Sequence, residues 1–172
     1  MDDKLERIRF ESITHGSLGT LEVIDLIKKF IDEDPDSEYS LVIGTDSHGK
    51  TGSANGSKII NLVTAVLVHR KGFGGKYFWI RKYQNHIHTL RDKIYAETMA
   101  SIDFAGEFVP LLKENLNGHS DKYLLEIHID VGEFGDTREM IKEVVGMVTG
   151  SGFIARTKPY AYAASYVADK HT

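Results

Sequence analysis

The chain contains no cysteine. That excludes a disulfide framework, a zinc–thiolate site and a thiol nucleophile. No apolar run reaches membrane-spanning length, and the opening Met1-Asp2-Asp3-Lys4 has neither signal nor transit character, so a cytoplasmic protein is expected. Internal repeats and low-complexity tracts are also missing. What remains is ordinary for a soluble globular protein: 172 residues, 41% hydrophobic and 27% charged, enough for one domain with a proper core. A net positive charge is lacking too, the formal value being -4. The acids are concentrated at the front. Residues 1–40 hold eleven acids against five Lys or Arg, and the rest hold fourteen against sixteen. If some of those fourteen bind divalent cations, the body of the protein is more cationic than its formula, which permits a polyanionic substrate.

The stretch from Ser40 to Gly49 organises the chain. Leu41, Val42 and Ile43 read as a buried central strand, too short and too β-branched for a helix. Asp46 stands at its end, and a carboxylate there is costly to desolvate unless a cation or a donor meets it. One reading makes Asp46 a metal ligand, with more carboxylates arriving later. Another takes Gly44 to Thr51 as a literal G-x-x-x-x-G-K-[ST] phosphate-binding loop, and hence the chain as a nucleotide hydrolase. That loop requires a helix opening at Lys50-Thr51, whereas the sequence continues into a Gly/Ser/Asn turn and a β-branched run.

Taken in order, Thr20 to Ile31 spaces Leu21, Ile24, Ile27 and Phe30 as an amphipathic helix that Pro35 stops, making residues 1–39 an acidic helical extension. Strands are expected at 41–46, 58–69 and 77–83, and short turns make them an antiparallel meander. Residues 89–116 carry a helical stripe through Ile94, Thr98, Ala105, Val109 and Leu112, which Pro110 can kink or divide. Glu97 falls on that stripe. A strand at 123–129 then delivers Asp130 as the first delivers Asp46. Asp136 to Glu139 resembles a capping box for a helix reaching Thr149, a final strand is expected near 152–157, and a last helix from Tyr160 to Asp169 has Pro159 in its first turn.

This order resembles the ribonuclease H-like fold. The segments Ile43 to Ser47, Tyr95-Ala96-Glu97, Lys158-Pro159 and Ala163 to Lys170 look like its bacterial YkuK-type branch. The resemblance implies an α/β fold with a mixed five-stranded sheet, helices on both faces and an extra N-terminal helix, in a single domain whose core is residues 40–172. It also implies catalytic, metal-binding carboxylates at Asp46, Glu97, Asp130 and Asp169, acting on DNA or RNA by a two-metal mechanism with magnesium or manganese. Magnesium prefers oxygen ligands and keeps waters, so a few carboxylates suffice.

Each acid has a plainer reading beside that one. Asp46 can cap a turn, Glu97 can pair with Arg91 or Lys93, and Asp130 can stabilise the turn at Gly132 to Gly135. Asp169 lies a turn later than the family pattern, where the early part of the helix offers Tyr162 and Ser165 instead. Ser47, His48, Arg156, Lys158 and Ser165 are the candidate substrate contacts, with Arg81 and Lys82 as further phosphate contacts. The His86-Ile87-His88 pair has no third ligand at a spacing suited to zinc. A metal-dependent nuclease, a non-catalytic nucleic-acid-binding or interaction domain of the same fold, and a phosphate-loop hydrolase are the three functions in play.

Overall fold

The computed structural model describes residues 8–50, 58–116, 123–133 and 137–172. Strands β1 (Arg9–Ser12) and β2 (Gly16–Gly19) lead into helix α1 (Thr20–Asp32). Three long strands follow: β3 (Tyr39–Lys50), β4 (Lys58–Arg70) and β5 (Gly74–Ile87). Helix α2 (Leu90–Asn115), strand β6 (Tyr123–His128), helix α3 (Ile141–Gly150) and strand β7 (Ile154–Arg156) complete the body, and a helical segment from Ala163 to His171 closes it. All the strands join one mixed sheet in the order β2-β1-β5-β4-β3-β6-β7.

The central arrangement is the one the sequence predicts. β3, β4 and β5 form the antiparallel meander, and β3 pairs in parallel with β6 from Tyr39↔Tyr123 to Gly44↔His128. The crossover between them is α2. Thr89 caps this helix by accepting from the Asp92 amide, while Asp92 accepts from the Thr89 amide in return. Pro110 does not divide it; the helix runs unbroken to Asn115.

The hydrophobic pattern of each strand follows from period-two alternation. Leu41 and Ile43 of β3, with Val66, Val68, Phe78, Ile80 and Ile127, face a core built by all three helices. The opposite residues, Val42, Val63, Ala65, Leu67 and Trp79, pack under Ala163, Val167 and Ala168. Helical structure therefore covers both faces.

Three expectations need correction. Among the described residues the sheet has seven strands, not five, because residues 9–19 form a hairpin ahead of the expected helix. Four residues of alternation at Arg9–Ser12 are too few to stand out, yet they put Phe10 into the main core against Phe104 and Phe108, at ring-centroid distances of 5.9 Å. The helix near residue 141 starts through a short 3-10 turn at Arg138–Met140 with no side-chain cap from Thr137; Asp136 lies outside the described residues. The last helix is shorter than Tyr160 to Asp169, with regular turns at Ala163–Ala168 and Asp169–His171, so Pro159 precedes it.

Replacing Phe10 by alanine tests whether the hairpin belongs to the core. Denaturant unfolding is expected to show a loss of roughly 3–5 kcal/mol, the usual cost of truncating a buried phenylalanine. A loss below about 1 kcal/mol, the size of a typical surface change, would mark the hairpin as an appendage.

Candidate functional site

β3 is longer than its apolar run because Thr45 to Lys50 keep full pairing with β4, down to Lys50↔Ile59. That disposes of the phosphate-loop reading. Gly44 to Lys50 are extended strand residues, and the next described element is β4, not a helix; Thr51 lies outside the described residues. β6, by contrast, stops at the level of Gly44. The second half of β3 thus runs past its parallel neighbour, and side chains there alternate toward two different partners.

Thr45 and Ser47 turn to α2. The Thr45 hydroxyl lies 2.7 Å from that of Ser101 and 2.9 Å from that of Thr64. Ser47 donates to Glu97 Oε1 at 2.7 Å, joining strand and helix through a buried bond. Asp46 turns to the other face, where Asp169 and Asp130 are near enough to oppose its ionisation. Its carboxyl is held above the usual aspartate range, first by burial and then by those like charges, against the pull of Lys93 and the Ser47 amide. Glu97 is pushed up to about 7, mainly by burial. Both are deeply enclosed, Asp46 at 8% exposure and Glu97 at 6%.

Two lysines stand against these acids. Lys93, one turn before Glu97 on α2, places Nζ 3.5 Å from Glu97 Oε1 and 3.9 Å from Asp46 Oδ1. Lys158 Nζ lies 2.9 Å from Asp130 Oδ1. The pairing of Glu97 with Lys93 was one of the plainer sequence readings, but Glu97 sits inside the helix face and not at its rim. Lys158, expected as a phosphate contact, is engaged by an acid, and so is Arg156, whose Nε donates to Glu126 Oε1 at 2.7 Å. Ser47 is likewise committed to Glu97, while His48 is exposed next along β3. The side chain of Ser165 lies outside the described residues.

A buried group that the sequence reading left as structural fixes the C-terminal segment. His128 Nδ1 accepts from the Ala163 amide at 3.2 Å, and its Nε2 faces Glu126 Oε2 at 3.2 Å. A ring nitrogen that accepts from an amide is unprotonated, so the proton resides on Nε2 and is donated to Glu126. Burial depresses the His128 pKa, against the pull of Glu126. Tyr162 packs edge-on against the same ring, with centroids 4.6 Å apart. The segment carrying Asp169 is thereby tied to the strand that delivers Asp130. The signal in the sequence was the pair Glu126 and His128, two residues apart on one face of a strand.

The donor chemistry suits a hard divalent cation, because the side chains are carboxylates whose burial a positive charge would offset. A positive charge already stands between two of them, on Lys93. Among the described residues, no group of three or more acids or imidazoles is placed to hold a metal ion. Asp46 with Glu97, and Asp130 with Asp169 beyond them, would hold such an ion only with Lys93 moved aside.

A mixed sheet whose central strand carries a carboxylate just beyond its pairing with its parallel neighbour, with a second just past the end of that neighbour and a further one from the crossover helix, agrees with the architecture implied by the sequence resemblance. The comparison with known families agrees: a Ribonuclease H-like model matches residues 22–172, and the chain belongs to that family. The match begins in α1. Within the family the chain is similar to the uncharacterized protein YkuK of Bacillus subtilis (strain 168), at 30% identity over 175 residues, covering 95% of this chain and 96% of that protein. No solved structure matches it.

The raised pKa of Glu97 has a stability consequence with a definite sign. Between pH 4.5 and about 7 the folded protein keeps a proton that the unfolded chain has released, so raising the pH through this window weakens the fold. In chelator at pH 8, Glu97→Gln is expected to stabilise the protein by on the order of 2–3 kcal/mol. The gain should shrink on acidification and vanish near pH 4.5. Unfolding midpoints across pH 4–8 check this, and a Glu97→Gln protein that is less stable than its parent at pH 8 would contradict it.

Proposed function

We propose that this protein is a divalent-metal-dependent nuclease, or a nuclease-like phosphodiesterase, acting on DNA or RNA. The observation that carries the reading is the enclosure of Asp46 and Glu97 where the central strand runs past β6, with Asp130 and Asp169 close enough to raise the cost of ionising Asp46. Family membership supports a nucleic-acid substrate. When bound, magnesium or manganese would activate a water and stabilise the leaving oxygen of a phosphodiester.

The protein's own residues have distinct tasks in that reading. Asp46 is the central ligand, since Asp130 and Asp169 act on it from one side while Lys93 reaches it from the Glu97 side. Ser47 fixes the Glu97 carboxylate by donating to Oε1, leaving Oε2 for other partners. His128 sets the position of the segment that carries Asp169. Substrate phosphates meet positive charge on the same sheet face. Asp46, Val63 and Arg81 occupy one cross-strand row, two strand spacings or about 10 Å long. Two rows further on, on the same face, Tyr83 is 67% exposed beside Asn61 and His48, a surface on which a base can stack.

A second reading is favoured by the lysines. Lys93 and Lys158 already neutralise much of the carboxylate charge, which a non-catalytic nucleic-acid-binding or interaction domain would need if it used no metal.

Asp46→Asn separates the two, because it keeps the side-chain volume and removes one negative charge. The assay is cleavage of labelled single strands, duplexes, hybrids and branched DNA with magnesium, manganese or chelator. For a nuclease, metal-dependent cleavage falls by several orders of magnitude, while binding is retained or tightened as repulsion of phosphates drops. Absence of cleavage on every substrate, with equal binding by both proteins, would establish the binder.

A further inference from the structure

Lys93 is placed unlike the other ion-paired surface lysines among the described residues. Lys29 and Lys71 each pair with one exposed acid, Asp25 and Glu38 respectively, and Lys158 pairs with Asp130. Lys93 reaches two nearly buried ones at once, Glu97 at 3.5 Å and Asp46 at 3.9 Å, with its own side chain only 36% exposed. Its position is set by secondary structure. Residues four apart on a helix lie one above the other, so a lysine at 93 projects over Glu97, and the Ser47 bond to Glu97 holds the end of β3 within reach of the same ammonium.

We infer that Lys93 is a built-in counter-cation of the carboxylate centre, one that a divalent ion must displace from Asp46 and Glu97 in order to bind. The inference rests on the metal reading above and specifies how the centre is held before loading. An ammonium with two carboxylates at 3.5–3.9 Å supplies the attraction that a metal would otherwise supply, at lower charge. Metal and lysine therefore compete for the same oxygens. The lysine stem is long and flexible, and its outer part already meets solvent, so Nζ can withdraw without disturbing α2. Two consequences follow. The metal-free protein folds with its acids compensated, and metal affinity is set lower than the carboxylates alone would give.

The test is isothermal titration of manganese and of magnesium into the full chain, with thermal unfolding in chelator and in saturating metal as a second readout. Lys93→Met keeps length and removes charge. Lys113→Met removes the same charge from an exposed position 20 residues further along α2, about 30 Å away, and controls for net charge. Lys93→Met is expected to bind metal at least about ten-fold more tightly than the parent, and Lys113→Met within about two-fold. In chelator Lys93→Met should melt lower than the parent, and metal should raise its midpoint by more. Lys93→Arg, which retains the charge, should bind metal no more tightly than the parent, and this holds as a test even if the methionine variant fails to fold. Unchanged or weaker binding by Lys93→Met, with binding abolished by Asp46→Asn, would overturn the inference and leave the metal centre standing. No metal binding by the parent or by Lys93→Met would overturn the metal centre and the inference together.

Discussion

Taking the carboxylates of Asp46 and Glu97 out of water is the constraint around which the rest of this structure is arranged. An ionised carboxylate in a low-dielectric setting loses hydration that a single hydrogen bond does not replace. Glu97 receives one hydroxyl and a lysine at 3.5 Å, and its pKa still rises to about 7. Asp46 receives the Ser47 amide and the same lysine from farther away, and it too is shifted upward. The donors present are therefore fewer than the two acids require. A structure that served only to pack a core would be more stable with amides or apolar groups at these places.

The fold makes that concentration of charge possible by stopping β6 short of β3. If β6 continued beyond Gly44↔His128, the end of β3 would be paired on both sides and Asp46 would be enclosed between neighbours. Instead the chain leaves the sheet at Ile129, whose amide bonds to the Arg156 carbonyl, and presents Asp130 beside the gap. The hydroxyls of Thr45, Thr64 and Ser101 then seal strand to helix on one side. On the other, the His128 bond to the Ala163 amide seats the C-terminal segment. Polar side chains fix the geometry here because an apolar contact would not specify direction.

Much of this was legible in the residues. Leu41-Val42-Ile43 ending at Asp46, and Leu125 to Ile129 ending at Asp130, announced two core strands, and the stripe from Ile94 to Leu112 announced the crossover between them. Parallel pairing of those strands then follows from chain connectivity. What escaped the reading was set by tertiary context. The Arg9–Ser12 strand is too short for its period to count, and only Phe10 against Phe104 and Phe108 gives it a place. The extension of β3 to Lys50 is carried by a Gly- and Ser-containing stretch with little strand propensity of its own, held by pairing with β4. Lys158 and Arg156 looked like free cations because sequence does not show that Asp130 and Glu126 lie across from them. Lys93, four residues before Glu97, was visible as an ion pair, whereas its second partner on β3 was not.

The most direct test of a divalent-cation centre is anomalous diffraction from crystals of this protein grown with manganese. The account predicts a manganese peak within ligand distance of the Asp46 carboxylate and shared with Glu97 or Asp130, with Lys93 Nζ withdrawn from both Asp46 and Glu97. A map without a peak at Asp46, with Lys93 still bridging the two acids at saturating manganese, would contradict it.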